Sequence, residues 1–381
     1  MRTPVCEMLG IDFPLLAFSH CRDVVAAVTN AGGFGVFGAM RYDPDELDTE
    51  LRWIDEQVDG KPYGLDVIVP QTFEGKGEQL DAGALAGRIS NDHWDFLERL
   101  LDEHALGDVW DREAAIRSSR AAALFSDANI DALLEVSFSH PIRLIANALG
   151  PAPARLIERA KQDGVACAGL VGAPEHAVKQ VQAGVDLVIA SGYEAGGHTG
   201  EIGTMVLVPE VIAAVRDSGV PVLAAGGIVT GRQMAAALAL GAAGVWTGSV
   251  WLTTHEAETS VFLREKMLRA SSRDTVRSRA RTGKPARQLR TAWHDAWAGP
   301  DSPGTLPMPL MTMLTWDALE RIESAAEGGH EGARELASYY VGQGVGLMTS
   351  ATSAAEVVQD FMEDFVEAFE GVQGALTEEV T

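Results

Sequence analysis

The chain has 381 residues, 46% hydrophobic and 22% charged, a balance that suits one large α/β unit with additions or two ordinary domains. A formal net charge of −24 repels phosphate backbones and anionic lipid, which argues against nucleic acid and membranes as partners. Three cysteines, Cys6, Cys21 and Cys167, form no CxxC pair, so neither a disulfide framework nor a metal site is expected, and a reducing cytoplasm fits.

Met1–Gly10 carries Glu7 and no apolar run, so no signal peptide is expected. No segment approaches about 18 uninterrupted apolar residues, so no membrane span is expected. Eight short, β-branched apolar runs follow: Leu15–Phe18, Phe34–Ala39, Gly64–Val69, Arg143–Leu149, Val165–Val171, Asp186–Gly192, Val220–Gly226 and Gly244–Ser249. Apolar residues at nearly every position mark strands buried on both faces, as in a parallel sheet covered by helices. Helical stretches lie between them at Asp23–Ala31, Ala152–Asp163, Pro174–Ala183, Val208–Ser218 and Gly231–Leu240, several stopped by glycine. Eight β/α units in series predict a closed (β/α)8 TIM barrel over residues 1–260.

Two segments interrupt the rhythm. Gln71–Ser139 is polar and helix-rich (Asp92–Glu103, Arg112–Phe125), which predicts a helical insertion after strand three. Residues 261–381 predict a smaller, helical, substrate-side C-terminal addition that returns to the barrel. It includes a Pro/Gly-rich stretch, Gly299–Pro309, and a closing amphipathic helix, Ser353–Glu370.

Active sites of such barrels lie at the C-terminal ends of the strands. After strand six, Gly196 and Gly197 precede His198 and Gly200 follows it. A histidine held at a strand mouth can take a proton from carbon; the plainer reading is a glycine-rich turn with an incidental histidine. Gly226-Gly227 after strand seven and Gly248-Ser249 after strand eight stand about 22 residues apart. Gly-rich turns in those two places form the usual barrel phosphate site, where backbone N–H groups hold a dianion.

Glu194-Ala195-Gly196-Gly197-His198-Thr199-Gly200 resembles the EAGGH-x-G signature of nitronate monooxygenases, formerly 2-nitropropane dioxygenases. Pro221–Ile228, Ala235–Gly241 and Val245–Ser249 look like the phosphate end of the same family. Asn30–Gly35, Gly283–Arg287 and Gly342–Gly344 are also similar, and the likeness runs from about Thr3 to Val358. The resemblance implies FMN, a barrel with a smaller second domain, and His198 as catalytic residue. It implies that Gly197, Gly226, Gly227, Gly248 and Ser249 line the phosphate. Asn147, Ser191 and Gly192 would approach the flavin or its ribityl chain, and Ala17-Phe18-Ser19 would pass beside the ring. The implied reaction is oxidation of a small carbon acid or nitronate with O2. The alternative is NAD(P)H-dependent reduction of a quinone or an enoyl or CoA thioester. The substrate is a small molecule, with an anion in view, and the sequence leaves the oligomeric state open, a homodimer included.

The chain departs from the family in two places. Ser19-His20-Cys21-Arg22 stands where the family often has methionine, and Asp66 in strand three where it often has asparagine. A carboxylate beside reduced flavin opposes its negative charge unless it is protonated or points away. The short Glu201–Met205 link resembles FMN-dependent enoyl-acyl-carrier-protein reductases. His20, at the strand-one mouth, is a second catalytic candidate; the alternative is a capping or solvated histidine. Arg273, Arg277, Arg279, Arg281, Lys284, Arg287 and Arg290 read either as a solvated surface or as a docking strip for an anionic substrate tail.

Overall fold

The computed structural model describes residues 1–69, 82–118 and 126–377. Eight parallel strands close into a barrel in the order β1 (Leu15–Ser19), β2 (Phe34–Gly38), β3 (Gly64–Ile68), β4 (Leu144–Ala148), β5 (Ala166–Val171), β6 (Leu187–Ser191), β8 (Val222–Ala225) and β9 (Gly244–Thr247). β9 pairs back onto β1, Leu15 against Val245 and Ala17 against Thr247. These are the eight runs read from the sequence, and the TIM-barrel expectation holds.

Alternate side chains point to opposite faces of each strand. Leu16, Phe34, Val36, Leu144, Ala146, Leu187, Ile189, Leu223 and Trp246 fill the barrel. Leu15, Ala17, Leu65, Val67, Ile145, Val188, Ala224 and Val245 pack outward under the helices. Both faces are therefore dry, which is why the runs are apolar without alternation. The Pro4–Leu9 helix sends Val5 and Leu9 into the inner cluster and closes the end where β1 begins.

The insertion provides helices Ala82–Ala86, Asn91–Glu103, Arg112–Ser118 and Asp127–Ser139; the expected Arg112–Phe125 helix runs partly outside the described residues. Its Trp94, Phe96, Leu100 and Trp110 share one core with Leu263, Trp293, Trp297, Leu310 and Leu314 from the C-terminal region. The insertion and the C-terminal addition thus close over common apolar surface. The closing helix, Ala354–Thr377, lies along Gly231–Ala239, with Phe361 buried and Asp364 paired to Arg232.

The C-terminal region is not wholly helical. β10 (Thr275–Ser278) and β11 (Ala286–Leu289) pair antiparallel, and β11 also pairs with a two-residue strand, β7 (Gly197–His198), in the loop leaving β6. This small sheet fixes that loop against the C-terminal region. Among the described residues, no helix is long and apolar enough to cross a membrane.

Candidate active site

His198 sits on β7, opposite Ala286 of β11. The loop that carries it is held at several points. The Glu194 carboxylate accepts the Thr204 N–H and hydroxyl, each at 2.8 Å, and so caps the Thr204–Val215 helix. Arg287, opposite Gly197 and only 2% exposed, donates to Tyr193 O (3.1 Å) and Thr275 Oγ1 (3.0 Å) while stacking 4.4 Å from the Tyr193 ring centroid.

The His198 ring has specific neighbours. Its Nε2 lies 2.8 Å from Thr282 Oγ1, and the Tyr340 ring is 6.3 Å away. Thr282 Oγ1 is also 3.3 Å from Lys284 O and 3.4 Å from Lys284 N. One pattern satisfies every partner: Thr282 donates to Lys284 O and accepts from Lys284 N–H and His198 Nε2–H. The free lone pair is then on Nδ1. Burial, with the Lys284 ammonium second, lowers the imidazole to about 4, so the ring is neutral near pH 7.

His20 lies at the β1 mouth. Its Nδ1 is 3.1 Å from Gly38 O, and Tyr42 donates to His20 O at 2.8 Å. A Cβ on Gly38 would collide with the His20 ring and come within 3.1 Å of Phe18 Cε2, so only a bare backbone admits both rings. Burial, then Arg41, lowers His20 to about 4 as well. Phe18 points into the barrel, stacked 6.1 Å from Trp246 and edge-on at 5.1 Å to His20. Ring contacts and charge effects link the surroundings of the two histidines: His198 to Tyr340, Arg281 over Tyr340 (4.7 Å) and Tyr339 (6.0 Å), and the Arg41 charge felt by both Tyr339 and His20. Beside Arg41 opens a cavity of about 380 Å³ lined by Tyr42, Glu46, Glu50, Glu258 and Trp316.

The glycine turns have the geometry of an anion cradle. Gly226 and Gly227 take φ of 111° and 72°, backbone that disfavours any side chain. Among the described residues, the N–H groups of Gly227 and Gly248 donate to no protein acceptor. Above Gly197 there is open space for 4 Å, and above Gly248 only Phe18 Cδ1, at 4.0 Å. Ser249 Oγ accepts the Gly342 N–H at 2.8 Å, and Gln343 N–H reaches Glu194 O at 2.9 Å, so the C-terminal return segment borders this cradle.

Ser191 and Asp66 occupy inward positions on β6 and β3, in phase with Ile189 and Gly64. Burial raises Asp66 to about 8. Four other expected residues have side chains or carbonyls engaged within the protein. Ala17 packs in the outer core. The Ser19 hydroxyl accepts the Cys21 N–H at 3.1 Å, inside the turn to the next helix. Asn147 lies on the outward phase of β4, accepting Val69 N–H (2.9 Å) and donating to Gly150 O (3.0 Å), so it shapes the β3 and β4 turns. Gly192 packs against Thr204 and accepts the Thr199 hydroxyl at 2.7 Å. Period-two alternation turns Ala17 and Asn147 away from the mouth.

The basic run does not form one strip. Arg277 binds Thr199 O and Glu201, Arg281 binds Ser338 O, Arg287 is buried, and Arg290 pairs with Asp295. Sequence reading assigned no role to Glu194, Thr282, Tyr340 or Arg41. The family-like strings Gly283–Arg287 and Gly342–Gly344 were the available signal for the segments around Thr282 and Tyr340.

The chain is similar to known proteins along nearly its whole length. A family model described as nitronate monooxygenase matches residues 7–364. Rv1533 of Mycobacterium tuberculosis, named as a monooxygenase, is 56% identical over 91% of this chain and 92% of its own. A Staphylococcus saprophyticus protein bearing the name of a nitronate monooxygenase is 30% identical over 76% of this chain and 79% of its own. Among solved structures, nitroalkane oxidase from Streptomyces ansochromogenes superposes with a TM-score of 0.77 at 25% identity, covering 96% of this chain and 99% of that one. FabK from Thermotoga maritima does so with a TM-score of 0.71 at 27% identity, covering 98% and 99%. The chain therefore belongs to the nitronate monooxygenase family and is a flavin-dependent oxidoreductase.

Proposed function

We propose that the protein is an FMN-dependent enzyme that oxidises a small nitronate or related carbon acid with dioxygen, with His198 as its catalytic residue. The observation that carries this reading is a buried, neutral imidazole at the β6 mouth, its Nε2 held by Thr282 at 2.8 Å, beside an anion cradle at the ends of β8 and β9. The residues present fit FMN. Gly226, Gly227, Gly248 and Ser249 would hold the phosphate through backbone N–H groups and a hydroxyl. Gly197, Phe18, Ser191 and Asp66 would line the flavin. Bound FMN supplies electron acceptance and the reaction with oxygen.

The protein's own groups hold and orient the substrate. Lys284, beside His198, supplies the positive charge that would favour an anion over its neutral conjugate acid, while Arg281 and Arg41 are offset by Glu323. An anion placed against His198 stabilises the imidazolium and lifts its pKa from about 4, so the ring meets the substrate's negative charge with a proton from solvent. His20, equally neutral, bounds the opposite side of the pocket.

A second reading, NAD(P)H-dependent reduction, is favoured by the short Glu201–Met205 link and by the whole-length likeness to FabK. Oxygen uptake by the FMN-loaded enzyme separates the two. Uptake with ethyl nitronate and without NADH supports oxidation. NADH consumption in the presence of a quinone or enoyl thioester, with no response to the nitronate, refutes it in favour of reduction.

A further inference from the structure

We propose that Asp66 is the acid of the cofactor chamber: as a neutral carboxylic acid it donates a hydrogen bond to the flavin, and its ionisation weakens flavin binding. This rests on the reading that a flavin occupies the barrel mouth.

Asp66 is the one ionisable residue on the described inward-facing positions of the eight barrel strands. It is 7% exposed. Its neighbours in register are Gly38 on β2, which the His20 and Phe18 rings cover, and Ala146 on β4, so neither neighbour brings a polar side chain of its own to the carboxyl. Among the described residues the carboxyl makes no hydrogen bond and no ion pair, and burial alone sets its titration.

A lone carboxylate in such surroundings cannot recover its lost hydration, so it takes up a proton. The proton then creates a second demand. An O–H left without an acceptor is unfavourable, and among the described residues no protein group accepts from Asp66. The flavin ring system, with its carbonyl and imine acceptors, would.

The charges that face this position are few. The elements packed against β3 are β2, β4 and the Ala39–Arg41 turn. β2 and β4 present only apolar side chains to the interior, and Arg41 acts on Tyr339 and His20. Across the mouth, the Lys284 ammonium acts on His198, and neither is among the causes of the Asp66 shift. The proton on Asp66 therefore answers to burial and to whatever binds above it. An asparagine here would donate at every pH, whereas this aspartate donates only while protonated.

The test is FMN affinity, measured by quenching of flavin fluorescence between pH 6 and 9, for the wild-type chain and Asp66→Asn. The wild-type dissociation constant should be flat at low pH and rise towards tenfold per pH unit above about 8, while Asp66→Asn stays flat. A flat wild-type profile, or an equal rise in Asp66→Asn, overturns the proposal and leaves the enzyme assignment intact. Failure to take up any flavin overturns both. Infrared difference spectra of flavin-free wild-type protein give an independent readout. A protonated-carboxyl band at pH 7 that is lost at pH 9 is expected; absence of that band at pH 7 contradicts the proposal even if Asp66→Asn fails to fold.

Discussion

An imidazole lowered to about 4 is neutral over the whole physiological range, so the chemistry of His198 depends on which nitrogen carries its proton. Thr282 sets that choice by offering Nε2 an acceptor. Thr282→Val should lower kcat about tenfold with little change in KM, because the ring loses its orientation while the pocket keeps its shape. Thr282→Ser should restore most of the rate, and equal damage by both variants would mean that the methyl group, not the hydroxyl, matters. His198→Asn should cost at least about 100-fold in kcat with the flavin spectrum retained, measured by steady-state oxygen uptake. His198 was legible in the sequence because glycines crowd it at a strand end. Its partners were not: Thr282 lies 84 residues downstream, and spacing along a chain says nothing about a contact made by a returning hairpin.

Elements differ in the same way. The barrel could be read because strands dry on both faces must be apolar throughout, a signal each strand carries alone. The β7–β10–β11 sheet could not. β7 has two residues, and β10 and β11 place Arg277 and Arg287 inside strands, where a run of positive charge reads as solvated surface. Burying Arg287 is tolerated because Tyr193 supplies a carbonyl and a ring face and Thr275 a hydroxyl. Arg287→Ala should therefore destabilise the fold by about 1–3 kcal/mol in urea unfolding and lower kcat, since β11 carries the strand on which His198 sits. At the other edge of the site, Gly227→Ala meets both a φ of 72° and the Glu194 Cβ at 3.1 Å. FMN affinity should fall about tenfold or more, equivalent to about 1.4 kcal/mol, as read by equilibrium dialysis.

At the scale of the whole molecule, four buried groups set the balance of stability against pH below about 8. His20, His198 and His294 are lowered from 6.5 to about 4 by burial. Between those values the unfolded chain binds protons that the folded chain refuses, so stability falls as pH drops through that window. Asp66 is raised from 3.8 to about 8. In that range the folded chain holds a proton that the unfolded chain has released, so stability falls as pH rises. Each group contributes a slope of up to about 1.4 kcal/mol per pH unit. Three histidines outweigh one carboxyl below pH 6.5, and the carboxyl dominates from there until, near 8, Lys266, lowered from 10.5 to about 8 by burial, begins to oppose it. Thermal melting of flavin-free protein should show its maximum near pH 6.5, and Asp66→Asn should remove the decline above it; a melting temperature still climbing at pH 8 would contradict these assignments. The central claim, oxidation of a nitronate at a flavin beside His198, is tested most directly by the visible spectrum of the FMN-loaded protein under anaerobic conditions. Bleaching of the flavin by ethyl nitronate but not by NADH, lost in His198→Asn, is the predicted result. Bleaching by NADH alone, or bleaching by the nitronate that survives His198→Asn unchanged, would contradict it.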